Sequence, residues 1–151
     1  MLRPVLALIA EVLLVVVVAL LLSALWQWFL TGDLESGFIE GARLLFFFMD
    51  VGLAIWVVVL VILTVRRRAL PGIGMTLLVA VAGVAVNAAV VLIVGFVQGG
   101  WAPLYVLFAI EAGIAFLIAV LVVAPIIRRL RRSEATTASP LDLGDGAGGR
   151  R

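Results

Sequence analysis

Four long apolar runs dominate the chain, at about 4–29, 44–65, 72–97 and 103–127, and short polar or charged breaks separate them. Each meets the ~20 residues that an α-helix needs to cross ~30 Å of hydrocarbon. Runs such as VLLVVVVALLL lack the in/out alternation of a lipid-facing barrel strand, so helices are predicted. The first run exceeds the ~7 to 15 residues of a signal-peptide apolar region, and no small-x-small cleavage site follows it, which makes it a retained span. The expected fold is an all-α membrane protein, a four-transmembrane-helix bundle over residues 1–132. Short connections join its helices up-down-up-down. The Gly-, Ser- and Asp-rich residues 133–151 are expected to form a disordered tail.

A second pattern lies inside these runs. Asp50 interrupts FFFMDVGLA, residues 46–54, and Glu111 stands at the matching place in LFAIEAGIA, residues 107–115. Aligning 50–61 with 111–122 pairs Gly52 with Gly113, Ala54 with Ala115, Val59 with Val120, Leu60 with Leu121 and Val61 with Val122. Two hairpins in the same orientation would make a parallel repeat of the kind some small transporters use. Chance matching within a limited apolar alphabet is the alternative.

Each run also holds one strongly polar residue: Glu11, Asp50, Asn87 and Glu111. A charge at bilayer depth costs at least ~2.5 kcal/mol, so such residues are expected to face the bundle interior. Counting ~1.5 Å per residue from the arginine-rich ends places Asp50, Asn87 and Glu111 at one level, ~22 to 25 Å up, and leaves Glu11 alone at ~10 Å. Only Arg43 is near enough along the chain to partner one of these acids. They would serve either as hydrogen-bonding links or as a proton or cation site. Thr76, Ala80, Gly83 and Asn87 follow a 4, 3, 4 spacing, and Ala112, Ala115 and Ala119 form a similar row. Small residues on one helical stripe mark helix packing in membranes. Trp56 reads as core packing.

Composition and charge then fix the setting. The chain is 66% hydrophobic and 13% charged with a mean hydropathy of +1.34, well above soluble domains. It contains no lysine. Ten of its eleven arginines, all but Arg43, flank the runs on one side, which predicts both termini and the RRR loop (66–68) in the cytoplasm. Trp26, Trp28 and Trp101 form an interfacial belt at the other side. Ala-, Val- and Gly-rich usage without lysine suits a bacterial inner membrane. The basic clusters are juxtamembrane, so anionic lipid headgroups, not nucleic acid, are the expected contact.

The sequence has no Cys and no His, which excludes disulfides, Cys/His zinc sites and His-ligated haem. No metal or other cofactor is expected. Asp33 and Glu35 have the spacing of an acidic pair but fall in a short solvated loop. The expected function is that of a non-enzymatic accessory or interaction subunit, as a homodimer or within a larger membrane complex. The alternative is a small proton- or cation-coupled transporter or channel.

Overall fold

The computed structural model describes residues 2–97 and 102–137. Trp101 and most of the expected tail, 138–151, lie outside the described residues. Five helices follow one another: α1 (Leu2–Thr31), α2 (Leu34–Phe48), α3 (Asp50–Arg67), α4 (Ile73–Val97) and α5 (Ala102–Thr137). No strand occurs among the described residues. Three stretches are long and apolar enough to cross a bilayer, Pro4–Thr31, Ile73–Val97 and Leu104–Arg131. A fourth span exists only if α2 and α3, bent by 64° at their junction, are joined.

The bundle closes on stripes that repeat every three or four residues. On α1 the buried positions are Leu8, Glu11, Val15, Ala19, Ser23 and Ala24; on α3 they are Gly52, Trp56, Leu60 and Thr64. Trp56 and Phe116 meet edge to face at the centre, with ring centroids 5.2 Å apart. The outward faces carry Leu13, Leu21, Val58, Leu78, Val81 and Leu121, each more than half exposed. An apolar girdle of that extent would be untenable in water and is what a lipid-solvated surface requires.

Three expectations need correction. The single span expected over 44–65 is broken at Met49, and the loop expected around Asp33 and Glu35 is helical from Leu34 onward. Asp33 starts α2 by accepting the Ser36 N–H at 2.9 Å, and glycines draw α2 onto α1. A Cβ at Gly37 would lie 2.7 Å from the Trp28 nitrogen, and one at Gly41 2.6 Å from the Ala24 nitrogen. Only glycine allows backbones so close, the same device as small-xxx-small packing. The tail also begins later than expected, because α5 runs on through 133–137.

Candidate functional site

Polar side chains gather at three places. The first is the break at Met49. In a continuous helix the Gly52 N–H would donate to the Phe48 carbonyl. Here the Asn87 carboxamide takes both groups: its Nδ2 donates to the Phe48 carbonyl, and its Oδ1 accepts the Gly52 N–H at 3.2 Å. A side chain inserted into the i→i−4 ladder is a recognised cause of a sharp kink. The close crossing of α3 and α4 brings Asn87 there. A Cβ on Gly83 would stand 2.8 Å from the Gly52 carbonyl oxygen, and one on Gly52 would stand 2.9 Å from that of Gly83.

Asp50 takes no part in that contact. Its side chain is exposed, and its Oδ1 accepts the Val51 N–H at 2.7 Å, at the first turn of α3. A carboxylate is well placed beside the unpaired N–H groups of a helix start. Asp50 and Asn87 therefore stand at one level, as expected from the sequence, but the Asp50 side chain points outward and does not converge with Asn87 inside the bundle. Nor does Arg43 reach Asp50; it pairs with Glu40 at 2.7 Å on the surface of α2.

The second place is the arginine-rich end. Glu11, 1% exposed, receives Arg128 Nη1 at 3.2 Å. The same guanidinium donates to the Pro71 carbonyl at 2.8 Å, to Thr76 Oγ1 at 2.7 Å and to the Ala124 carbonyl at 2.7 Å. One side chain thus ties α1, α4, α5 and the α3–α4 connection together. Sequence reasoning counted Arg128 among the flanking cations and left Glu11 alone. The signal that was present is the length of the arginine stem, which lets the head fold back against the bundle. Thr76, Ala80 and Gly83 lie buried along α4, as do Ala112, Ala115 and Ala119 along α5.

The third place is a groove of about 820 Å³ between α1 and α5. Glu111 lines it, and Gln27 Nε2 donates to Glu111 Oε1 at 2.8 Å. Glu11 to Arg128 and Gln27 to Glu111 are contacts in opposite chain order, so α1 and α5 run antiparallel. Trp26, Trp28, Phe29, Ile110, Ile114 and Ile118 supply most of the apolar wall. Ser23, 2% exposed, also lines the groove, and its Oγ has no hydrogen-bond partner. The two ion pairs among the described residues are those of Arg43 and Arg128, and Glu111 is in neither. A smaller crevice of about 200 Å³ between α1 and α3 is lined by Thr64 and aliphatic side chains, with no ionisable group.

Among the described residues no three His, Cys, Asp or Glu side chains converge as metal ligands would. No family model, curated protein or solved structure matches the chain.

Proposed function

We propose that the chain is a non-enzymatic accessory protein of the membrane that works by binding within the bilayer plane, through the α1–α5 groove. In this reading the α2–α3 pair counts as one bent span, the helices run up-down-up-down, and both termini lie on the cytoplasmic side with the arginines. One observation carries it: of the buried polar side chains away from the groove, Glu11, Thr76 and Asn87 have partners, and what remains is the small Thr64 hydroxyl. Asn87 serves the α2–α3 break and Glu11 is held by Arg128. Thr76, in the Arg128 cluster, and Asn87 are eleven residues apart on α4, about 16 Å, with the buried Val79, Ala80 and Gly83 between them. That spacing offers no relay of titratable groups along the bundle. Glu111 is the acid left facing a space large enough for a ligand.

Glu111 also motivates the transport reading, since a carboxylate facing lipid across a groove is what a cation carrier would need. Vesicles containing the purified chain and an internal pH dye separate the two. As an accessory protein, it should leave proton movement at the level of protein-free vesicles under an imposed cation gradient. It should also migrate within a larger assembly when extracted gently from native membranes. Proton flux that Glu111→Gln abolishes would replace this proposal with the carrier.

A further inference from the structure

We propose that the α1–α5 groove is a binding site for a lipophilic organic monocation, an amine or quaternary ammonium head carried on an apolar body. The inference rests on reading the groove as the working surface and names what it holds.

The charge of the ligand follows from the walls. Glu111 is the one ionisable residue lining the groove, and no basic side chain lines it. An anion would therefore meet a carboxylate with nothing to offset it, while a dication would leave one charge uncompensated in a low-dielectric site. Gln27 holds Glu111 Oε1 at 2.8 Å, which fixes the carboxylate and leaves its second oxygen for a ligand. Ser23 adds a second, independent observation. Its Oγ is buried at the groove wall without a partner, a state that costs free energy unless a polar group arrives.

The kind of cation follows from oxygen count and shape. A calcium ion takes six to eight oxygens and magnesium six, with water completing the shell. The groove offers only one carboxylate, Glu111, and one hydroxyl, Ser23. An organic cation needs no such shell: an ammonium N–H can be met by one carboxylate, and a quaternary head has no N–H to satisfy. Trp26, Trp28 and Phe29 add aromatic surface, and indole faces attract cations electrostatically, more strongly when desolvated. The volume of about 820 Å³ falls within the ~300 to 1,000 Å³ of small-molecule sites. Leu107 and Ile114 at the rim are 62% and 54% exposed on the lipid-facing side, so entry is lateral and suits a ligand already dissolved in the bilayer.

Tetraphenylphosphonium and tetraphenylborate, nearly the same in size and opposite in charge, provide the test. Each is titrated into the purified full chain in a neutral detergent, read by quenching of tryptophan fluorescence and by equilibrium dialysis. Saturable binding of the phosphonium, at least tenfold tighter than the borate, is expected. Glu111→Gln keeps an acceptor for Gln27 and should weaken phosphonium binding tenfold or more; Ile114→Trp, which fills the groove and leaves the carboxylate, should do the same. Equal binding of the two ions, or phosphonium binding that both variants retain, overturns the proposal. So does a photo-crosslinker at position 114 that captures a second polypeptide in the membrane and is not displaced by phosphonium. The proton-flux experiment is independent: a chain that binds the phosphonium and moves protons keeps this site and loses the accessory role, and a chain that does neither keeps only the accessory role.

Discussion

Glu11 and Arg128 are 117 positions apart in the chain and 3.2 Å apart in the bundle. Replacing Arg128 by Met removes the partner of a carboxyl that is 1% exposed. The expected loss is about 3 to 5 kcal/mol, because breaking a buried pair leaves its other member uncompensated. Glu11→Leu added to Arg128→Met should recover most of that loss. Thermal unfolding in detergent followed by circular dichroism measures both, and a harmless Arg128→Met would show that Glu11 does not depend on it.

The Gly52–Gly83 crossing sets a second expectation. Gly83→Leu must displace α3, since even a Cβ there stands 2.8 Å from a backbone oxygen. Overpacking of this kind costs about 1 to 3 kcal/mol. Gly74→Ala is the matched control, with nothing within 4 Å of its Cβ, and should leave stability unchanged or raise it slightly through helix propensity. Equal behaviour of the two variants in the same unfolding assay would remove the crossing as a packing constraint.

Asn87→Leu tests the cause of the kink. Without the inserted amide, the Gly52 N–H and Phe48 carbonyl can bond each other directly, and the 64° bend should open. Spin labels at positions 38 and 65 are about 35 Å apart along the bent path and about 40 Å along a straight helix. A lengthening of about 5 Å by pulsed electron resonance is the expected result. An unchanged distance would assign the bend to Gly52–Gly83 packing alone.

At the α1–α2 turn, hydrogen bonds from Ser36 hold the Asp33 carboxyl below its usual value of 3.8. Since the folded value is depressed, the cap's contribution is fully present above the ordinary aspartate pKa and is lost as pH falls through the lower folded value. NMR shifts of the amides at 34–37 should report fraying of the first turn of α2 only under strongly acidic conditions. Asp33→Asn should keep the turn formed there, and Asp33→Ala should fray it already at neutral pH.

Some of this architecture was legible in the chain. The uninterrupted runs of α1, α4 and α5 are apolar enough to announce helices by length alone. The row Thr76, Ala80, Gly83 and Asn87 announces a packing face by its spacing. What escaped the sequence depends on distant partners. FFFMDVG contains no proline, and the group that splits it lies on another helix, 35 to 39 residues onward. Local pattern carries no trace of such an insertion. Asp50 and Glu111 looked alike because their neighbours along the chain are alike, but one starts a helix at the surface and the other lines a groove and bonds Gln27. The partner of Glu11 was hidden differently: Arg128 belongs by position to a flanking cluster, and only the packing of α5 against α1 turns its head inward.

The insertion of Asn87 also bears on the order in which the chain assembles. Synthesis delivers α2 and α3 before α4, and until Asn87 arrives the Phe48 carbonyl and the Gly52 N–H have only each other to satisfy them in lipid. Residues 34–67 should therefore enter the bilayer as one straight helix and acquire their bend when α4 docks. A chain ending after residue 70 should keep the straight form, with the 38-to-65 distance of the Asn87→Leu variant. The bend is then a mark of completed assembly, recorded in the backbone of helices that were made first.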